Sequence, residues 1–328
     1  MNQLRYNWAI IGCGTIAHEF AQGAERLGGR IYGVGNRTRE KAVAFARQYG
    51  IETVYDRPED AAHDPNVDIV YIATPHNRHI EYILPALQAG KHVLCEKAIT
   101  LNSGELNQAM EAAQENGCIL AEGMTLYHMP LYEELRKRFE GGALGRLRLV
   151  QASFGSYKPY DMTNRFFSKE LAGGALLDIG VYALSFARWF LSSKATQVLS
   201  QVSLAPSGVD EQSGILLQNE AGEMAVLSLS LHAKQPKRGT AIFDRGYIEI
   251  YDYPRGSKAV VTYTDNGRQE IIEAGHTDMA LCYEILHMEQ AAAGEGNAMY
   301  LYLQYTADVM ETMTTLRRQW GLTYPEEV

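Results

Sequence analysis

The chain has 328 residues, 46% hydrophobic and 21% charged, with 30 Lys plus Arg against 39 Asp plus Glu and a formal charge of −9. That length exceeds one ordinary domain, so two domains with ample core are expected, and a net negative chain with no basic run argues against nucleic acid as a partner. No apolar stretch approaches the ~20 residues that cross a bilayer, and the first strand starts too early for a signal peptide, so a cytoplasmic protein with no membrane partner is expected.

The first predicted strand, Trp8–Ile11, runs into Gly12-Cys13-Gly14-Thr15-Ile16-Ala17, a G-x-G-x-x-A turn. A helix with apolar residues at Ile16, Phe20, Ala24 and Leu27 follows. Such a turn aims the N–H groups around Gly14, Thr15 and Ile16, and the positive end of the helix dipole, at one spot where a pyrophosphate sits. Gly12 permits the tight turn, Gly14 lets the phosphates approach, and Ala17 keeps the helix close to the strand. The alternative is a purely structural glycine turn. The second strand, Arg30–Val34, leads into Gly35-Asn36-Arg37-Thr38-Arg39, with no carboxylate to hold ribose hydroxyls. Asn36 and Arg37 are the candidate contacts there, Arg37 stacking on adenine and pairing with a 2′-phosphate. NADP is therefore preferred over NAD, against a solvated helix start capped by Thr38.

Strands at Asp68–Ala73, His92–Glu96 and Ile119–Ala121 alternate with helical segments. This makes residues 1–124 an α/β dinucleotide-binding domain with a doubly wound parallel sheet and right-handed crossovers. Beyond residue 145 strands follow one another: Arg148–Ser156, Thr196–Leu204, Gly214–Asn219, Met224–His232, Thr240–Phe243, Tyr247–Tyr251 and Ala259–Thr264. The run Ala225–His232 alternates apolar and polar residues, as a half-covered sheet does. Helices over Asp278–Ala293 and Tyr300–Trp320 close the chain. Residues 125–328 are thus expected to form an α+β domain on a large, mostly antiparallel sheet, packed on the first domain with a cleft between. Cys13, Cys95, Cys118 and Cys282 are scattered with no C-x-x-C pair and read as reduced thiols. His76 and His79 lack further ligands at metal spacing, so no metal is expected.

Three more motifs follow in order: Ala73-Thr74-Pro75-His76-Asn77-Arg78-His79, Ala89-Gly90-Lys91-His92-Val93-Leu94-Cys95-Glu96-Lys97, and Gly173-Gly174-Ala175-Leu176-Leu177-Asp178-Ile179-Gly180-Val181-Tyr182. With the glycine turn they resemble the glucose-fructose oxidoreductase, inositol dehydrogenase and MocA family (Gfo/Idh/MocA) over nearly the whole chain. The resemblance implies a Rossmann domain, a C-terminal domain whose open sheet often makes subunit contacts, and a nicotinamide cofactor between them. It also implies sugar, cyclitol, polyol or related diol substrates and a homo-oligomer, dimer or tetramer. Tyr182 looks like the dihydrodiol dehydrogenase and glucose-fructose oxidoreductase branch; the inositol dehydrogenase branch has histidine there. Two departures stand out: Glu96-Lys97-Ala98 replaces the family's Glu-Lys-Pro, and Tyr127 stands where an arginine is common.

Hydride transfer between a carbinol and nicotinamide needs a group that moves the hydroxyl proton near neutral pH. Tyr182 is the candidate, and because a free phenol titrates near ~10 a positive neighbour must favour its ionised form. Lys97, at the C-terminal end of a parallel strand, can supply that charge and touch both substrate and cofactor ribose. Asp178 lies four residues before Tyr182, on the same helix face, and either orients substrate or holds Lys97. The plainer readings are a solvated Glu96–Lys97 pair, a core Tyr182 and an N-capping Asp178. Thr74, Pro75, His79 and Glu96 are placed on the cofactor side, or are structural. The stretch Phe154–Asp161 with Asn164–Phe167 has the composition of a substrate-covering loop, so Tyr157 and Arg165 join Tyr127 as substrate contacts, or serve an interface. The expected activity is NAD(P)-dependent interconversion of a hydroxyl and a carbonyl on a sugar, polyol or diol. A catalytically silent NAD(P)-binding sensor or regulatory protein is the alternative, and a cofactor recycled without release is a third reading.

Overall fold

The computed structural model describes residues 4–296 and 298–327. Six strands form a parallel sheet: β1 (Trp8–Ile11), β2 (Gly33–Gly35), β3 (Thr53–Val54), β4 (Ile69–Ile72), β5 (His92–Glu96) and β6 (Leu120–Gly123). Their order is β3-β2-β1-β4-β5-β6, so the winding reverses between β1 and β4, and ligands bind beyond the carboxyl ends of such strands at the reversal. Helices α1 (Thr15–Arg26), α2 (Arg39–Tyr49), α3 (Asp60–His63), α4 (His79–Gln88) and α5 (Ser103–Glu115) connect them. Every residue of β1 and β4 is buried, as expected of strands covered on both faces. Stacked on them, Phe20 of α1 lies 3.7 Å from the Tyr71 ring and 5.3 Å from that of Trp8.

The second sheet holds β7 (Leu147–Gly155), β8 (Ala195–Leu204), β9 (Asp210–Asn219), β10 (Met224–Ser230), β11 (Gln235–Phe243), β12 (Gly246–Tyr251), β13 (Lys258–Tyr263) and β14 (Gln269–Glu273). Its order is β14-β13-β12-β11-β7-β10-β9-β8. All neighbours are antiparallel except β7 and β10, which run parallel with Leu149 opposite Met224. Helices α6 (Thr125–His128) and α7 (Pro130–Phe139) precede the sheet, α8 (Val181–Phe190) follows β7, and α9 (Ala280–Ala292) and α10 (Ala298–Trp320) come last. One face of the sheet carries Val150, Ala152, Phe154 and Ala241, all buried, and packs on α8 so closely that a side chain at Gly239 would collide with the Phe186 ring. The other face is open: Leu199, Val226, Tyr251 and Ile271 lie on it, 43 to 62% exposed.

The helical run Lys169–Phe190 has the length and apolarity of a membrane span, contrary to the sequence expectation, but 83% of its apolar window is buried inside the protein, as in a core helix.

The chain divides into two compact units whose membership is not contiguous. The first runs to Gly123 and takes in Leu281–Gln304; the second is Met124–Ala280 and the chain from Tyr305 on. A boundary at 124/125 therefore leaves one segment on the wrong side. In the first unit Glu289 of α9 is buried and accepts hydrogen bonds from the Trp8 indole and the backbone N–H of Arg5, each at 3.1 Å, and from that of Tyr6 at 3.3 Å. Leu281 and Ile285 pack on Gly23 of α1. Sequence patterning also missed β3, which has two half-buried residues and no period to read.

Candidate functional site

The glycine turn has the geometry its sequence requires. Gly12 adopts φ +103°, and a Cβ there would lie 2.6 Å from the carbonyl oxygen of Ala73 at the end of β4. Only glycine satisfies both the dihedral and the contact. Gly14 is exposed and faces open space. Helix α1 begins at Thr15 without a side-chain cap and with no acidic residue in its first turn. The uncapped N–H groups at Thr15 and Ile16 and the helix dipole are left for an anion. The Asn36 side-chain oxygen accepts from the Cys13 N–H at 3.3 Å, and its amide donates to the Thr38 carbonyl at 2.9 Å. Asn36 thus ties the turn to the end of β2. Arg37 is exposed, whereas Arg39 pairs with Asp56 at 2.7 Å. These residues fit a dinucleotide pyrophosphate with a further anionic group near Arg37.

After β4, Pro75 is exposed, and the Thr74 hydroxyl is buried with no hydrogen-bond partner among the described residues. Two residues placed on the cofactor side by sequence are turned inward instead. His79 is fully buried, with Nε2 2.8 Å from the Thr74 carbonyl and Nδ1 3.0 and 3.2 Å from those of Ala98 and Ile99. Its ring nitrogens are committed to backbone, and burial, partly opposed by those carbonyls, lowers its pKa. Glu96 is also buried and accepts from the Tyr71 hydroxyl at 2.5 Å and from the Lys97 N–H at 3.3 Å. Burial, then the Glu96 charge, push the Tyr71 phenol well up, so Tyr71 remains the donor. Lys97 itself is half-buried at the end of β5, and the Lys97–Ala98 peptide is cis.

In the second unit the glycine-rich motif forms a crowded turn. Gly174 adopts φ +125° against the Asp210 carboxylate, and the Tyr324 hydroxyl donates to the Gly173 carbonyl at 2.7 Å. A π-helical turn, Leu176–Gly180, then leads into α8. Asp178 lies inside this turn and is no N-cap. The orphan N–H of Leu176 is instead taken at 2.7 Å by Asp210 at the start of β9. Asp210 is fully buried, and that burial, opposed by N–H donors and the Arg317 charge, pushes its pKa up to about 7.

From residue 172 to 187 every residue is buried except Asp178 and Tyr182. π-Helical turns recur at functional sites, and here one helps present a carboxylate and a phenol from an otherwise submerged segment. Arg165 lies 3.7 Å from Asp178 and stacks 4.5 Å over the Phe166 ring, which also receives Lys158 at 4.1 Å. The Phe154 ring is 5.8 Å from that of Tyr182. Tyr157 is 65% exposed. Tyr127, expected to meet substrate, is 1% exposed and packs 5.8 Å from Tyr305, a core position. Among the described residues no cluster of three or more His, Cys, Asp or Glu is arranged for a metal ion. Asp210, which sequence reasoning missed, carries no motif; its partner Leu176 lies 34 residues away in the chain.

Residues 6–124 match the model of an oxidoreductase family with an NAD-binding Rossmann fold, and residues 132–251 match the GFO/IDH/MocA C-terminal domain. Trans-1,2-dihydrobenzene-1,2-diol dehydrogenase of Xenopus laevis is 30% identical over 331 residues, which cover 97% of this chain and 99% of that protein. An NAD binding oxidoreductase from Klebsiella pneumoniae shares the fold with a TM-score of 0.86 at 19% identity, over 97% of both chains. A 3-ketoreductase from Actinomadura kijaniata, in complex with NADP and TDP-benzene, does so with 0.82 at 24% identity, over 95% of this chain and 97% of that one. A relative at this identity spans the chain end to end, and each half fits its own domain model; the chain belongs to the Gfo/Idh/MocA family of NAD(P)-binding oxidoreductases.

Proposed function

We propose that the protein is an NADP-preferring dehydrogenase or reductase that interconverts a hydroxyl and a carbonyl on a small sugar, polyol or diol. One observation carries the assignment of its proton-transfer group: Asp178 and Tyr182 alone reach out of the buried segment 172–187. Tyr182 gives or takes the hydroxyl proton, and Lys97 supplies the positive charge that favours its phenolate. Asp178 orients substrate together with Arg165, while Tyr157 covers it. Gly12, Gly14, Thr15, Ile16 and Asn36 hold the pyrophosphate side of the cofactor, Arg37 its 2′-phosphate, and Thr74 and Pro75 its nicotinamide side. When bound, the nicotinamide supplies or accepts the hydride. The name of the Xenopus laevis relative, a dehydrogenase of trans-1,2-dihydrobenzene-1,2-diol, supports the diol class of substrate. The open sheet face with Leu199, Val226, Tyr251 and Ile271 supports a homo-oligomer, dimer or tetramer. The net charge of −9 supports a partner other than nucleic acid, and a cytoplasmic location with no membrane partner completes this reading.

The test is titration of tryptophan fluorescence with NADPH and NADH, followed by a panel of sugars, diketones and diols while reduced-cofactor absorbance is read. Turnover with one substrate class and tighter NADPH than NADH binding is expected. Tight binding with no turnover across the panel would favour the sensor.

A further inference from the structure

Residues 156–168 form the loop that follows β7 in the second unit. Asn164 ties this loop to itself: its amide donates to the Pro159 carbonyl at 3.1 Å, and its side-chain oxygen accepts from the Phe166 N–H at 2.9 Å. The Phe166 ring so placed carries two cations, with Lys158 Nζ 4.1 Å and the Arg165 guanidinium carbon 4.5 Å from its centroid. Like charges on one ring repel, and stacking on an aromatic face returns little at an exposed position. The neighbouring carboxylates do not answer both charges. Asp161 accepts from the Thr163 N–H and hydroxyl at 2.8 and 2.7 Å. Glu211 of β9 accepts from the Tyr160 hydroxyl at 3.0 Å and lies 2.7 Å from His232 Nε2. Asp178 alone approaches Arg165, at 3.7 Å, beyond hydrogen-bond distance. Among the described residues Lys158 makes no ion pair and Arg165 no hydrogen bond. Elsewhere in this unit Arg188, Arg238 and Arg317 each have a carboxylate of their own, Asp308, Glu249 and Glu327. Lys158, Arg165 and Asp178 together leave one net positive charge on a chain whose total is −9.

We propose that the substrate is a sugar or polyol acid, and that Lys158 and Arg165 hold its carboxylate while Asp178 and Tyr182 receive its reacting hydroxyl. The inference rests on the dehydrogenase reading above and narrows its substrate class. Arg165 joins the two ends of the site, sharing the Phe166 ring with Lys158 and standing beside Asp178. Its planar guanidinium presents a fork of N–H donors that matches a carboxylate, and Lys158 adds a point charge. Charge-assisted hydrogen bonds of this kind are about twice as strong as neutral ones. Stacking on Phe166 and the Asn164 ties hold both cations in place before a ligand arrives, which lowers the cost of ordering them on binding. One carboxylate neutralises the group, a phosphate dianion exceeds its charge, and a neutral sugar leaves it unanswered.

The test compares D-glucose with D-glucuronate and D-galactose with D-galacturonate, pairs that exchange a neutral CH2OH for a carboxylate, and adds D-glucose 6-phosphate. Turnover with NADP+ as oxidant is read by reduced-cofactor absorbance, and binding in the presence of NADP+ by calorimetry. The acids are expected to bind at least about tenfold more tightly than their neutral partners, an advantage that shrinks as salt is raised. Lys158→Gln should lower the acid-to-neutral ratio by about tenfold, and Lys158→Arg should keep most of it. Lys237, which stands 4.9 Å over Phe154 rather than on Phe166, is the control: Lys237→Gln should leave the ratio in place. Equal binding of acids and neutral sugars, a ratio unmoved by Lys158→Gln, or the same fall in Lys237→Gln overturns the proposal. A preference for the 6-phosphate over glucuronate overturns the assignment to a carboxylate. Should the acids bind more tightly while nothing in the panel turns over, the hydride-transfer reading fails and the anion site stands. Should neutral sugars turn over with the acids no better bound, only the anion site fails.

Discussion

The Asp210 carboxyl, closed off from water beneath the π-helical turn, makes the second unit's stability depend on pH in a direction opposite to most carboxylates. Its folded pKa of about 7 stands roughly three pH units above the ordinary 3.8, because burial penalises the ion more than the Leu176 N–H and its neighbours reward it. A raised folded pKa means that the folded state holds the proton while the unfolded chain has released it. The associated stability is fully present below about pH 4, falls by about 1.4 kcal/mol per pH unit, and is gone above about pH 7. The whole swing is on the order of 4 kcal/mol. Asp210→Asn keeps an acceptor for Leu176 but has no proton to lose. Urea unfolding from pH 4 to 8 reads the effect, followed by tryptophan emission; two of the three tryptophans, Trp189 and Trp320, lie in the unit that contains Asp210. Other titrating groups cancel in the difference between the two proteins. The substituted protein should gain on the wild type steadily up to about pH 7 and then run parallel to it. A difference constant across the range would show that Asp210 ionises as an ordinary carboxylate and would refute the reasoning.

Lys97→Ala and Tyr182→Phe should each lower turnover by ~10²-fold or more with NADPH binding preserved; a near-normal rate in either removes that residue from the chemistry. Arg37→Ala should weaken NADPH by ~10-fold or more and NADH far less in fluorescence titrations, and equal losses would reject the 2′-phosphate contact. Glu289→Ala strands the Trp8 indole N–H and the backbone N–H groups of Arg5 and Tyr6. It should cost about 3 kcal/mol in denaturant unfolding, while a loss below about 0.5 kcal/mol would mean that water replaces the carboxylate.

The nucleotide turn was legible because its constraints are local: a positive φ and a close carbonyl demand glycine at position 12 whatever lies elsewhere. The helix presenting Asp178 and Tyr182 was legible too, through its glycine-rich start and apolar spacing. Orientation was harder. His79 and Glu96 sit at strand and helix ends where cofactor contacts occur, yet both turn inward, because buried carbonyls and Tyr71 need partners there. Nothing in one sequence shows which side of a turn is short of hydrogen bonds. Tyr127 lies in a short buried helix, so its aromatic surface went to packing. The parallel pairing of β7 with β10 was hidden because alternation in a strand reads the same whichever way its neighbour runs. Asp210 was hidden because it caps a helix 34 residues away in the chain.

The return of Leu281–Gln304 to the first unit fixes when that unit can be completed during synthesis. Its first strand emerges from the ribosome early, but the carboxylate that serves Arg5, Tyr6 and Trp8 arrives only when Glu289 has been made. At ~5–20 residues per second the nascent nucleotide-binding sheet waits many seconds with the Gly23 face of α1 uncovered. A fragment cut at residue 124 would be caught in that state permanently. Genetic exchange of the nucleotide-binding half between relatives therefore has to carry two pieces of chain, which couples the inheritance of cofactor preference to a segment that begins only at Leu281.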